Sequence, residues 1–207
     1  MSVLDKLACA HGIRNEEPNK ELAIEIVEAL DKKAVKELVE NLTNKDKNIQ
    51  SDCIKVLYEI GERKPELIAA YDKEFLELLH HKNNRLVWGA MNALDCIASV
   101  NPKEMYRHLV TILDIADKGS VITKDHGVGI LTKLSAHKAY SDDTLVLLLD
   151  FMKTAATNQL PKYAEDAVPV ITEKYKKDFV KVLSSRLPDF DKETKKVRLQ
   201  KVIKKLS

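Results

Sequence analysis

Glycine, proline and aromatic residues are scarce in this chain: six Gly, six Pro and 5% Phe, Trp and Tyr over 207 residues. Sandwiches and barrels depend on frequent Gly/Pro turns and on aromatic or β-branched strands, so the shortage excludes an all-β fold. Cysteine is thin as well. Cys9, Cys53 and Cys96 are an odd number, widely spaced and without a CxxC, which argues against a disulfide framework and fits a reducing, cytoplasmic setting. No apolar run approaches the roughly 18 residues that span a bilayer. The opening segment MSVLDKLACAHG lacks the basic region and the long apolar core of a signal peptide. A soluble cytoplasmic protein with no membrane contact is expected.

Motifs that carry chemistry are missing too. There is no GxSxG, and Ser184-Ser185 has no neighbouring His to act as base. Gly127-Val128-Gly129 has neither a strand before it nor a Lys-Ser/Thr after it, so it is no phosphate loop; close helix packing explains it better. His80-His81 and Asp125-His126 are adjacent pairs, and neighbours on a helix point about 100° apart, which keeps them from sharing a metal. Cys53 occupies a small core position and reads as an inert hydrophobe, while Cys96 has nothing close in sequence to lower its pKa. No catalytic residue, no metal and no cofactor is expected.

What the chain does have is helix-forming composition and a helical period. Leu, Ala, Lys, Glu and Ile dominate, and 44% of residues are hydrophobic, enough for a folded core. Apolar residues spaced three or four apart paint single stripes over Leu22–Leu30, Val35–Leu42, Ile49–Ile60, Leu67–Leu79, Leu86–Val100 and Met105–Ile115. Further stripes run over Leu145–Met152, Tyr163–Ile171, Phe179–Leu187 and Val197–Leu206. Nothing alternates with period two for long enough to make a strand.

The stripes repeat. A shift of 37 residues lays Ile49, Cys53, Leu57, Ile60 and Pro65 on Leu86, Ala90, Leu94, Ile97 and Pro102. Another 37 brings Gly127, Leu131 and Leu134 under Ala90, Leu94 and Ile97, and about 40 more reaches Ala167 and Ile171, with Lys174 where an apolar residue is expected. Val39 and Leu42 align with Leu76 and Leu79 at the same shift. A helix pair has two apolar faces and must stack to bury both, which is why such units come in arrays. Small residues at Ala90, Gly127 and Ala167 admit a neighbouring helix, and a Leu or Ile one turn on fills the gap. The polar runs 44–48 and 81–84 mark turns, and Pro65 and Pro102 fall where a helix start tolerates a missing N–H.

The stretch Asn84-Arg85-Leu86-Val87-Trp88-Gly89-Ala90-Met91-Asn92-Ala93-Leu94-Asp95-Cys96-Ile97 resembles the second helix of a HEAT repeat, and Phe75-Leu76-Glu77-Leu78-Leu79 the end of a first helix. The likeness covers roughly residues 33 to 175. It departs from the family pattern where the usual basic residue is Gln50 and Val87 (Lys124 restores it once) and where the usual Asp-Pro turn is absent. The resemblance implies a right-handed α-solenoid of about five antiparallel helix pairs. The pairs are Lys33–Arg63, Glu66–Val100, Lys103–His137, Asp142–Tyr175 and a basic C-terminal pair, Asp178–Leu187 with Lys192–Leu206. Helices over Val3–Ala10 and Asn19–Asp31 would cap the N-terminal end, residues 1–31, and the whole of 1–207 would form one domain.

Two functional readings follow. HEAT-like second helices line a concave face, which places Trp88, off the buried stripe of its helix, either on the inner surface or packed against an adjacent repeat. Exposed aromatics on such faces anchor partners, so the favoured expectation is a non-catalytic protein–protein interaction or scaffold module. It would present Trp88, Asn92, Lys55 and Tyr58 to another protein. The alternative is nucleic-acid binding. Net charge is only +2, yet residues 174–207 hold twelve Lys and Arg against four Asp and Glu, leaving about −6 over the first 173. Lys195, Lys196, Arg198, Lys201, Lys204 and Lys205 would meet phosphates, with Leu199, Val202, Ile203 and Leu206 turned inward. No aromatics are interleaved to stack bases. A HEAT-like family of alkylpurine DNA glycosylases holds damaged DNA with Trp and a carboxylate; here Asn92 stands one turn from Trp88 where that carboxylate would be, and Arg is sparse mid-chain.

Overall fold

The structure, a computed structural model, describes residues 2–206. Among them are twelve α-helices and no strand: α1 Glu17–Ala29, α2 Lys32–Glu40, α3 Lys47–Arg63, α4 Asp72–Leu78, α5 Asn84–Ile97, α6 Pro102–Arg107, α7 Leu109–Lys118, α8 Val121–Ser135, α9 Ser141–Thr154, α10 Leu160–Ala167, α11 Glu173–Arg186 and α12 Glu193–Leu206. The fold is all-α, as the composition and the helical period predict. Contacts divide the chain into two compact units, Met1–His126 and Gly127–Ser207, and the division falls inside α8. Positions 1 and 207, the ends of the expected domain, lie outside the described residues.

Within the first unit, α1, α3 and α5 lie side by side, α2 packs on α3, and α4 packs on α5. Short polar side chains start several of these helices by satisfying amides that have no intrahelical partner. Asp31 accepts from the amides of Lys33 and Ala34, Asp46 from Asn48, and Asn83 from Arg85. Burial follows the 37-residue register: Cys53, Leu57 and Ile60 of α3 and Leu86, Ala90, Ala93, Leu94 and Ile97 of α5 are all fully buried. In the second unit α9 packs beside α11 and α10 beside α12, over a core that includes Leu148, Leu160, Ala167, Phe179 and Leu199. Arg186 ties α9 to α11 by donating to the carbonyls of Met152, Lys153 and Ala155, the free C-terminal acceptors of α9.

Four predicted helices differ in detail. Val3–Ala10 forms two 3₁₀ turns, Val3–Lys6 and Ala8–His11, closed by Gly12 in the left-handed region at φ 65°. The stripe over Leu67–Leu79 is broken into 3₁₀ turns at Pro65–Leu67 and Ala69–Tyr71 before α4 begins. The break seats Ile68, fully buried, against Gly61, where an added Cβ would come within 2.6 Å of Ile68 Cδ1. Met105–Ile115 is two helices joined at His108, which leaves the helical region at φ −101°, ψ 9°. Tyr163–Ile171 leaves the α-helix after Ala167 for the 3₁₀ turn Val168–Val170, because Pro169 has no N–H to continue the ladder and its ring crowds the preceding turn.

Candidate functional site

The second helices of the first unit form one wall of a cleft of about 270 Å³. Lys55 and Tyr58 come from α3, Trp88 and Asn92 from α5, Ile122 and His126 from the start of α8, and Glu16 from the segment before α1. All four residues singled out for partner binding therefore meet at one place. They do so because residues of like register on neighbouring helices stand beside one another once the helices pack in parallel rows. The helices approach closely here: a Cβ on Gly89 would lie 2.4 Å from Ile54 Cγ1. Trp88 is half-buried. Tyr58 is half-buried and Ile122 is 41% exposed, and with Trp88 they step an apolar surface from α3 to α5 to α8.

Lys55 lines the cleft as a group that already has partners. It is only 8% exposed, and its ammonium is already held by Glu59 at 2.8 Å and by Glu16 at 3.1 Å, 4.6 Å above the Tyr58 ring. Glu59 is shared with Arg63 at 2.7 Å. Burial alone would depress the Lys55 pKa, but its hydrogen bonds with Glu59, Tyr58 and Glu16 outweigh that, and the net shift is upward. Burial would likewise raise the Glu59 pKa, yet Lys55 and Arg63 hold it below the usual carboxylate range. For Tyr58 burial prevails over the nearby ammonium, and its phenol is shifted up. All three groups thus keep the charge state that binds them together at neutral pH.

The polar floor is similarly engaged. Asn92 Nδ2 donates to Glu62 Oε1 at 3.2 Å, and the Cys96 thiol donates to Asn92 Oδ1 at 3.3 Å. His126 Nδ1 lies 3.0 Å from Asp95 Oδ2, which joins α8 to α5 below the cleft. Asp52, also on the wall, accepts from the Cys9 amide at 2.8 Å. The thiols of Cys9 and Cys53 are pushed up to about 12, in both cases by burial first and by Asp52 in addition, so neither ionises readily. Among the described residues, no group of three or more His, Cys, Asp or Glu is placed to hold a metal ion.

In the second unit the six basic residues proposed for nucleic acid divide into three sets. Lys195 is hydrogen-bonded to the side chain of Asn158, and Arg198 makes a two-pronged contact with Glu165, Nε to Oε1 at 2.8 Å and Nη2 to Oε2 at 2.5 Å. Lys196 is half-buried, while Lys201, Lys204 and Lys205 are exposed and make no ion pair among the described residues. Leu199 and Val202 are buried, as the expected inward face requires.

Glu16, Ile122, His126 and Gly89 are parts of the cleft that the partner-binding expectation omits. Ile122 falls in the 37-residue register of Arg85, another lining residue, so it was within reach of the repeat. Glu16 lies outside the repeats, and no periodicity points to it.

No protein-family model matches this chain, and no curated protein matches it in sequence. Solved structures do. A designed armadillo repeat protein in complex with the peptide (KR)4 superposes with a TM-score of 0.68 at 15% identity, over 91% of this chain and 87% of that one. A computationally designed armadillo repeat protein for modular peptide recognition gives 0.65 at 14% identity, over 90% and 86%. An engineered protein gives 0.62 at 19% identity, over 100% and 98%. At these identities the likeness concerns architecture. The chain has the fold of an armadillo- and HEAT-like α-helical repeat protein.

Proposed function

We propose that this protein is a non-catalytic interaction module, and that the cleft between α3, α5 and the start of α8 receives a short segment of another protein. The observation that carries this reading is the surface made by Tyr58, Trp88 and Ile122. Three large side chains on α3, α5 and α8 line the same cleft and remain partly open to solvent, and apolar groups gathered at one place mark a binding surface where scattered ones do not. Asn92 beside them supplies an amide of the kind that pairs with peptide groups. Peptide binding by armadillo designs of similar fold supports a protein partner in general. Fold alone does not assign function, so the weight rests on the cleft. Free cysteines agree with a cytoplasmic setting, and among the described residues no helix is long and apolar enough to cross a membrane.

The test is affinity capture from native lysate with and without nuclease, comparing wild type with the Trp88→Ala, Tyr58→Ala double variant. A partner recovered by wild type and lost by the variant supports the cleft. Unchanged recovery moves the binding surface elsewhere. Recovery that disappears on nuclease treatment favours the second reading, in which Lys201, Lys204 and Lys205 contact nucleic-acid phosphates; that affinity should fall steeply with salt.

A further inference from the structure

Two carboxylates hold Lys55, and they differ in kind. Glu59 lies one turn along the same helix, is itself 8% exposed at its side chain, and is shared with Arg63. Glu16 reaches in from a stretch, residues 11–16, in which every residue is exposed and which contains the left-handed Gly12. The Glu16 side chain is 55% exposed, against 10% for Lys55, and although it stands at the start of α1 it accepts no helix amide. Its contact in the cleft is therefore with the ammonium, and an ion pair with one partner this exposed is weakly held. Lift Glu16 away, and Lys55 and Arg63 share the single charge of Glu59. The Lys55 ammonium, on the lining of the cleft and beside the Tyr58 ring, then keeps Glu59 alone. A largely buried ammonium that has lost one of its two carboxylates favours an incoming anion in its place.

We propose that Glu16 stands in for a carboxylate of the partner. The cleft takes a short extended segment whose own carboxylate replaces Glu16 on Lys55 while a neighbouring apolar side chain lies on Trp88. The first unit carries a net charge of −4, from 18 Lys and Arg against 22 Asp and Glu. That field repels a run of acidic residues, so the local pull of Lys55 sets the limit at one carboxylate. Glu16 then acts as a built-in competitor, and binding exchanges an internal ion pair for an intermolecular one. This inference rests on the cleft being the partner site.

Trp88 is the only Trp in the sequence, so its emission reports occupancy directly. The probes are three peptides: acetyl-Leu-Glu-Leu-amide, acetyl-Leu-Gln-Leu-amide, and acetyl-Leu-Gln-Leu with a free C-terminus. Glu16→Gln removes the competitor at an exposed position where the fold is little disturbed. It is expected to bind the Glu peptide about tenfold more tightly than wild type does, and to leave the Gln amide unimproved. A gain for the free C-terminus as well places a chain end among the acceptable sources of the carboxylate. Adding Lys55→Met should erase the gain; if that variant does not fold, the Glu and Gln peptides compared on Glu16→Gln decide alone. No gain for either carboxylate peptide, or an equal gain for the Gln amide, overturns the proposal. If Glu16→Gln gives no gain while Trp88→Ala, Tyr58→Ala still loses the lysate partner, this inference fails and the cleft reading stands.

Discussion

The two units are built from the same kind of helix packing and use charge in opposite ways. Met1–His126 has 18 Lys and Arg against 22 Asp and Glu, and Gly127–Ser207 has 16 against 10, a contrast of −4 with +6. One network of the first unit is drawn into the fold: Lys55 and Glu59 are 8% and 6% exposed, paired with each other, and Glu59 also holds Arg63. In the second unit the cross-helix pairs, Arg198 with Glu165 and Lys174 with Asp142, lie at the surface with side chains 40–68% exposed. Distance alone would rank these pairs as equals, since all lie between 2.5 and 2.9 Å. Burial separates them. A charge taken out of water must keep its partner, whereas an exposed one is solvated with or without it.

Breaking one pair in each unit should expose that separation most strongly. Glu59→Ala leaves Lys55 buried with only the half-exposed Glu16, and the expected loss is about 2–4 kcal/mol in urea unfolding. Glu165→Ala strips Arg198 of its partner at the surface and should cost under about 1 kcal/mol. Equal losses would mean that burial does not distinguish the two sites. A somewhat smaller effect is expected at Gly89, where a Cβ meets the β-branched side chain of Ile54 at 2.4 Å. Overpacking there is worth about 1–3 kcal/mol, offset by up to about 1 kcal/mol of helix propensity. Gly89→Ala should therefore lower stability by about 1–2 kcal/mol. A stabilised Gly89→Ala variant would show that Ile54 yields at little cost.

The repeat was legible because it is written in burial. Each 37-residue step lands on a residue that packing forces to be small or aliphatic, so Cys53, Ala90, Leu57 and Leu94 announce the stacked helices without help from context. The residues expected to meet a partner, Tyr58, Trp88 and Asn92, sit off that stripe on the same helices, and the structure brings them to one cleft. The breaks near Ile68 and His108 were not legible. The stripe continues through both, and the chain tightens only because of what lies opposite, Gly61 in the case of Ile68. The change after Ala167 could have been read from Pro169. Glu16 had no signature at all. It acts through a contact with a residue 39 positions away, made from a segment that belongs to no repeat.

The pH dependence of stability gives the smallest effects and separates the units on the alkaline side. Glu59 and Glu165 both have lowered pKa values, the second through its hydrogen bonds to Arg198. Each contributes stability above its unfolded value of roughly 4.3, and that contribution is lost as pH falls through the lower folded value. Both units should weaken on acidification, and Glu59→Gln should flatten the acid limb more than Glu165→Gln because its carboxylate is the more buried. Rising pH acts on the first unit through thiols that the second lacks, since all three cysteines precede residue 127. Cys9 and Cys53 are raised to about 12 in the folded chain. Their contribution is therefore complete below the unfolded thiol value of roughly 8.5 and declines as pH climbs toward the folded one. The loss is under about 1 kcal/mol per thiol near pH 9. Cys53→Ala, whose side chain also drops a buried sulfur, should start from a lower stability at neutral pH and then fall less between pH 7 and pH 9 than wild type. Parallel curves for the two proteins over that range would show that the Cys53 thiol does not govern the alkaline limb.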